Sequence, residues 1–479
     1  MSIAQYVWAV ARGLQTQVHP TTPAGAARDA LDHSIRILTA VANALEPYAV
    51  SWVERPASAT TPVGRADTDR LPGPAENSAA FGDTGESIAA AAHILDSASS
   101  GSGADLFMQS DMRAHIKWEK ALLDAAIARM DEVTAAQPVK LDDPRLQIDQ
   151  SALQAFLRGN LSSANLTVSE FRQVLGGRSR QTALFRVLDA PGVPEYLVVQ
   201  RQLPGMVPGP AFASVAAQYH VLMALHAAHL KVPRPLCYEL GSRDLGSPFL
   251  VVERSRGDIV EPDYWATPKS ERIALQLAEQ MGRLHAQPIG NLAAVLPHSR
   301  QRSDRQGWLE ELDRIAGDWG TLAHWPSVTA SAALEWLRAN IDCVEDRQSL
   351  VHNDMVFHNI LSQGDQLTAI LDWEQVGVGH PAEDLGYCYP PVSGVLDWDR
   401  FLRAYHAAGG PAISRRQVDY FALRAIMRLM ILVIKGGRVT FETGLSGDVL
   451  IASAGAFFSQ RLLHRLARVL DAVLDRDRT

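Results

Sequence analysis

The stretch LVHNDMVFHNILSQGDQLTAILDWE, Leu350 to Glu374, decides how this chain reads. Two apolar runs, Ile360–Leu361 and Leu367–Leu371, flank the turn residues 363–366, and this spacing predicts a β-hairpin. Asn359 stands where the first strand begins, and Asp372 ends the second. Antiparallel pairing sets those two ends side by side. Asp354 lies on the loop entering the hairpin, five residues before Asn359. Carboxylates gathered beside buried apolar runs are costly unless a cation joins them. An Asp and an Asn oxygen at neighbouring strand ends suit Mg2+ and leave room for phosphate oxygens. A further carboxylate close by can accept a proton from an attacking hydroxyl. Together these residues meet the needs of phosphoryl transfer, with Asp354 aligning the acceptor oxygen. A zinc reading of His352, Asp354 and His358 would use the imidazoles well, but it leaves Asn359 and Asp372 without a role.

Upstream of the hairpin the pattern is strand-rich. SALQAFLRGN (151–160) predicts a short helix, and LTVSEFRQVL (166–175), TALFRVLD (182–189) and EYLVVQRQ (195–202) predict strands. A helix over Phe212–Leu230 follows, then two more strands, RPLCYEL (234–240) and PFLVVERS (248–255). Five strands with one inserted helix make a small α+β lobe over residues 148–256. Residues 257–479 read as a larger, mostly helical lobe. Its helices are expected at Ser270–Ala286, Gly307–Ile315, Ala330–Ile341, Trp398–Ala408, Arg416–Lys435 and Leu450–Leu474. A cleft is expected between the lobes. Residues 1–147 read as a helical module. They carry one apolar stripe through Ala27, Leu31, Ile35, Leu38, Ala42 and Leu45, and a second helix over Met112–Val133. Within the module, residues 54–86 are rich in Pro, Gly, Ala, Ser and Thr and read as a long loop, and SASSGSGAD (97–105) reads as a linker.

The bulk numbers set limits. A chain of 479 residues exceeds what one compact core usually holds, so two or three domains are expected. The net charge of −8 gives no support to nucleic-acid binding. Cys237, Cys343 and Cys388 form no CxxC pair and read as free thiols in a reducing compartment. Residues 1–15 show no basic region ahead of their apolar residues, which argues against a signal peptide. The most apolar run, Tyr420–Ile434, is interrupted by Arg424 and Arg428 and reads as a buried helix rather than a membrane span. The expectation is a soluble, cytoplasmic protein with no membrane partner.

HNDMVFHN (352–359) followed by ILDWE (370–374) resembles the His-x-Asp-x4-Asn and Asp-Trp-Glu signatures of the aminoglycoside phosphotransferase and choline kinase group. GVGHPAEDLGY (377–387), LGGRSRQT (175–182), VPRPLCYE (232–239), PFLVVER (248–254) and GRLHAQP (282–288) are also similar to that group. The resemblance covers about residues 148–479 and leans toward the kinase domains attached to acyl-CoA dehydrogenases. It implies a bilobal protein-kinase-like fold, with ATP and Mg2+ as cofactors. Carried over, Asp354 is the catalytic aspartate, and Asn359 and Asp372 are the metal ligands. Gly176, Gly177 and Ser179 form a loop over the phosphates through backbone N–H groups, and Glu253 and Arg254 sit at the hinge where backbone meets adenine. His352 holds the loop, Asp384 braces it, and Glu374 completes the Asp-Trp-Glu signature.

The chain departs from the group's pattern at four places. Asn353 stands where Gly is usual, and Arg180 where Asn is usual. The phosphate-binding Lys or Arg of the third strand falls at Arg201 or, in the other register, at Gln200; Arg201 is the candidate. Gln218, in AlaGlnTyr (217–219), stands where the helix partner is usually Glu. If Gln200 is the strand residue, the usual ion pair becomes an amide pair with a weaker grip on the phosphates.

The resemblance implies that the acceptor is a small molecule with a hydroxyl group. Residues 387–479 hold thirteen Lys and Arg against eight Asp and Glu, which suits a neutral or anionic acceptor such as a hydroxy acid or hydroxyacyl thioester. A polycationic aminoglycoside, or another antibiotic, is the alternative substrate. The alternative function is a catalytically weak, nucleotide-binding regulatory protein whose helical N-terminal module binds a protein partner.

Overall fold

The computed structural model describes residues 147–477 except 175–179, 203–211, 242, 263–265, 298–303, 323–326 and 444–448, together with single helical positions at 35, 38 and between 112 and 127. The expected loop over 54–86, the linker at 97–105 and residues 1–15 lie outside these. Ile35, Met112, Ile116 and Leu123 are helical and buried.

In chain order the elements are α1 (Gln150–Asn160), β1 (Thr167–Val174), β2 (Arg180–Leu188), β3 (Tyr196–Gln202), α2 (Val215–Ala227), β4 (Pro235–Glu239), β5 (Phe249–Glu253) and β6 (Asp258–Ile259). There follow α3 (Glu271–His285), α4 (Arg305–Leu322), α5 (Val328–Ala339), β7 (Ser349–Val351), β8 (Ile360–Gln363), β9 (Gln366–Ile370) and β10 (Gly377–Gly379). The chain continues with α6 (Ala382–Val392), α7 (Trp398–Ala407), α8 (Arg415–Thr443) and α9 (Val449–Arg476). Two compact units result. One is Asp143–Gly307 with Val344–Ala422; the other is Met1–Asp142 with Trp308–Cys343 and Leu423–Thr479.

The first unit opens with an antiparallel five-stranded sheet in the order β1-β2-β3-β5-β4. Burial alternates along β2 and β3, as it must when one face is packed more deeply than the other. Ala183, Phe185, Val187, Leu197, Val199, Phe249 and Val251 meet Leu153, Phe156 and Leu157 of α1, with the Phe156 and Phe249 rings edge to face at 4.7 Å. Helix α1 starts where the side chain of Asp149 accepts the N–H groups of Ser151 and Ala152. The inserted helix starts at Val215 rather than Phe212, because Ser214 caps it by accepting the N–H of Ala217.

The expected hairpin is present as β8 and β9. Gln363 pairs with Gln366, so the turn is the two residues Gly364 and Asp365, tighter than the four expected. Gly364 has φ +55°, a left-handed conformation that glycine takes without steric cost. Strand β6 pairs with β8. The pair β7–β10, with Val351 opposite Gly377, closes the base of the segment 352–376. Helix α6 then brings Gly386 against α8. A Cβ at Gly386 would lie 2.5 Å from the Ala422 nitrogen and the Phe421 carbonyl carbon. Gly386→Ala should therefore cost about 1–3 kcal/mol by overpacking, read as a lower denaturant midpoint; an unchanged midpoint would deny that contact.

The second unit is helical where it is described. Arg424, from the apolar run on α8, is buried and makes a two-pronged ion pair with Glu311 of α4 (Nε to Oε2 2.9 Å, Nη2 to Oε1 2.6 Å), 5.1 Å over the Trp308 ring. Glu119 is buried at the start of α5, where its Oε2 accepts the Thr329 N–H at 2.8 Å and the Thr329 hydroxyl at 2.6 Å. Burial pushes the Glu119 carboxyl up. Cys237, Cys343 and Cys388 are free. No described helix is long and apolar enough to cross a membrane.

Candidate functional site

The site is built on the loop that leaves β7. Asp384, fully buried near the start of α6, accepts the backbone N–H of His352 on Oδ2 (2.8 Å) and that of Asn353 on Oδ1 (2.6 Å). His285 of α3 holds the same Oδ2 through Nε2 at 3.1 Å, while its Nδ1 meets the Tyr405 hydroxyl at 2.8 Å. Asn353 has φ +65°, the region glycine favours and asparagine tolerates, and this explains why Asn can stand where the resembling group has Gly. Its Nδ2 donates to the Gln375 carbonyl at 3.0 Å, a bond that glycine could not make.

His352 links this loop to the end of β9. Its Nδ1 accepts the Asp354 N–H at 3.2 Å, so Nε2 carries the proton and donates to the Leu371 carbonyl at 2.9 Å. Burial pushes its pKa down, against the pull of Asp384 and Asp354, which favours this neutral form. The Trp373 ring packs edge-on against it at 4.5 Å.

Asp354 is buried and anchored on both oxygens. Asn359 Nδ2 donates to Oδ2 at 2.9 Å and to the Asp354 carbonyl at 2.9 Å. The Tyr387 hydroxyl donates to Oδ1 at 2.6 Å, and His358 Nε2 lies 3.6 Å from the same oxygen. Sequence reasoning missed Tyr387. Its one signal is its place at the end of GVGHPAEDLGY, and nothing in the spacing says that the first turns of α6 face Asp354.

The Leu371 N–H donates to the Asn359 carbonyl at 2.7 Å, so the strand ends adjoin. With Nδ2 committed to Asp354, the Asn359 amide oxygen points away and carries no hydrogen bond among the described residues. Asp372 is half-buried at φ +60°. Burial pushes its carboxyl well up, and the charges of Glu374 and Asp354 add to this, while Arg180 opposes it. Arg180 Nε meets Glu374 Oε2 at 3.1 Å. Around Asp372 the charges of two carboxylates, Glu374 and Asp354, thus face one guanidinium, Arg180. That excess of negative charge fits a divalent cation. Among the described residues no group of three or more His, Cys, Asp and Glu side chains could hold a metal by itself. Asn359 and Asp372 could supply two ligands, and phosphate oxygens and water would have to supply the rest.

Arg201 is buried on the α1 face of the sheet, where Nε donates to Gln181 Oε1 at 2.7 Å and Nη1 to the Leu245 carbonyl at 2.7 Å. The alternation of β3 puts Leu197, Val199 and Arg201 on one face and Gln200 on the other. Gln218 is buried and donates to the Ala213 carbonyl at 2.7 Å, and the Ala213 N–H donates to the Glu374 carbonyl at 2.8 Å. At the expected hinge the N–H groups of Glu253 and Arg254 donate to the carbonyls of Arg234 (2.8 Å) and Tyr196 (2.9 Å). Gly176, Gly177 and Ser179 lie outside the described residues.

Residues 170–421 match the phosphotransferase enzyme family. Acyl-CoA dehydrogenase family member 11 of Pongo abelii is 25% identical over 261 residues, which make up 51% of this chain and 31% of that protein. The chain thus spans about a third of the length of the curated relatives of this type. Viomycin phosphotransferase of Streptomyces vinaceus is 28% identical over 249 residues, 47% of this chain and 79% of its own length. A solved chain from Ralstonia eutropha JMP134, provisionally assigned as an aminoglycoside phosphotransferase, superposes with a TM-score of 0.50 at 17% identity, covering 67% of this chain and 99% of that one. The likeness extends to the fold, the protein-kinase-like α+β arrangement expected from the sequence.

Proposed function

The chain belongs to the phosphotransferase enzyme family, and from that premise we propose that it transfers the terminal phosphoryl group of ATP, in the presence of Mg2+, to a hydroxyl group of a small molecule. The observation that carries the reading is the gathering of Asp354, Asn359 and Asp372 at the adjoining ends of one hairpin, with Asp354 anchored on both oxygens. Residues 148–256 hold the nucleotide and residues 257–479 receive the acceptor. Asp354 accepts and orients the attacking hydroxyl, while Asn359 and Asp372 would hold the cation. When bound, Mg2+ neutralises charge on the phosphates. We assign the reaction to the cytoplasm on the free thiols.

The acceptor is a neutral or anionic hydroxyl compound of the hydroxy-acid or hydroxyacyl-thioester type, because residues 387–479 carry an excess of cations. A panel of ATP-consumption assays tests this. Turnover is expected with hydroxy acids and hydroxyacyl thioesters; robust turnover of kanamycin-type sugars with none of these rejects the assignment in favour of an antibiotic acceptor.

One observation favours a second reading. On that second reading, Gln200 and Gln218 in place of the usual ion pair would make the chain a weak catalyst and a nucleotide-binding regulator, its N-terminal residues binding a protein partner. Thermal-shift titration with Mg·ATP beside the acceptor panel separates the two. Binding with turnover on no acceptor supports the regulator, and turnover on any acceptor removes it.

A further inference from the structure

The first sheet has to find a cation for a nucleotide's phosphates somewhere other than β3. Gln200 is neutral, and Arg201 is turned to the opposite face, engaged by Gln181 and Leu245. Strand register points to another residue. Thr182 of β2 stands opposite Gln200, and Arg180 stands opposite Gln202. Residues two apart on a strand share a face, and so do residues directly opposite in a pair. Arg180, Thr182, Gln200 and Gln202 therefore lie on the same face of the sheet, the one away from α1.

We propose that Arg180 is the residue that grips the phosphates of the bound nucleotide, taking the place that Gln200 leaves without charge. The inference rests on the phosphotransferase reading given above and adds to it the source of positive charge. Three observations support it. Arg180 is the first residue of β2, directly after the segment 175–179 that the sequence resemblance makes the phosphate loop. Its Nε is fixed by Glu374 Oε2 at 3.1 Å with both side chains about nine-tenths buried, while Nη1 and Nη2 have no hydrogen-bond partner among the described residues. A guanidinium held at Nε presents its two terminal nitrogens as a rigid fork, which matches two phosphate oxygens. Lastly, its partner Glu374 lies two residues after Asp372, the proposed metal ligand, so the ion pair ties Arg180 to the strand end where phosphates and metal would meet. Glu374 orients the fork and is a positioning residue in this account.

The test is titration of the full chain with Mg·ATP and, separately, with adenosine, which lacks phosphates. Arg180→Met should weaken Mg·ATP binding roughly tenfold to a hundredfold, the scale of lost charge-assisted hydrogen bonds, and leave adenosine binding within about twofold. Arg180→Lys should restore part of the loss, since it keeps the charge without the fork. Glu374→Gln keeps an acceptor oxygen for Nε and removes the competing negative charge, so Mg·ATP affinity should hold or rise. These two variants carry the test if Arg180→Met does not fold. Mg·ATP binding unchanged in Arg180→Met, or lost equally for ATP and adenosine, would overturn the proposal, as would a loss in Glu374→Gln equal to that in Arg180→Met. A wild-type chain that binds neither ligand would defeat the phosphotransferase reading itself, and this inference with it.

Discussion

Asp354→Asn is expected to lower kcat by roughly a hundredfold to ten-thousandfold while the affinity for Mg·ATP stays within a few-fold of wild type. The substitution keeps the size and shape of the side chain and removes its ability to take a proton from the acceptor. It also perturbs the anchors: an amide at this position can accept from only one of Asn359 Nδ2 and the Tyr387 hydroxyl. Those bonds lie at the acceptor end of the proposed reaction, so the loss should fall on kcat rather than on nucleotide binding. Steady-state kinetics on whichever acceptor turns over, beside direct nucleotide titration, checks both halves. A variant as active as wild type would remove Asp354 from the mechanism.

The second large effect is on stability. Asp384→Ala is expected to destabilise the chain by about 3–5 kcal/mol, read as a shift in the denaturant midpoint. The side chain is fully buried and accepts three hydrogen bonds, from the N–H groups of His352 and Asn353 and from His285. Alanine leaves the two backbone donors without their acceptor and separates the Tyr405–His285 pair from the loop. Because these bonds set the path of residues 352–354, the surviving folded fraction should also lose activity. A shift below about 1 kcal/mol would mean that water or a neighbouring group satisfies the loop instead.

How much of this was legible in the sequence follows from the range of the interactions. The hairpin and the alternating strands β1–β3 were readable because periodicity and turn chemistry are local signals. The adjoining ends of the hairpin, at Asn359 and Leu371, could be expected because pairing in a hairpin relates residues that are close in sequence. The pair β7–β10 was not visible, since three-residue strands have no period to detect. Helix α6 was hidden by Pro390 and Pro391 near its C-terminal end. Tyr387 and the ion pair Arg180–Glu374 depend on how distant elements pack, and no spacing encodes that. Which of Gln200 and Arg201 turns to which face was not legible for a related reason: LVVQRQ is apolar on both faces, so only the pairing partners decide which way each side chain turns.

The most direct test of the account is a crystal structure of the full chain with Mn2+ and a non-hydrolysable ATP analogue, with the metal located by its anomalous signal. The account predicts a cation coordinated at about 2.1 Å by the Asn359 amide oxygen and an Asp372 carboxylate oxygen, bridging to the phosphates, with Asp354 off the metal and facing the terminal phosphate. A cation bound elsewhere, or nucleotide phosphates that do not approach these strand ends, would contradict it.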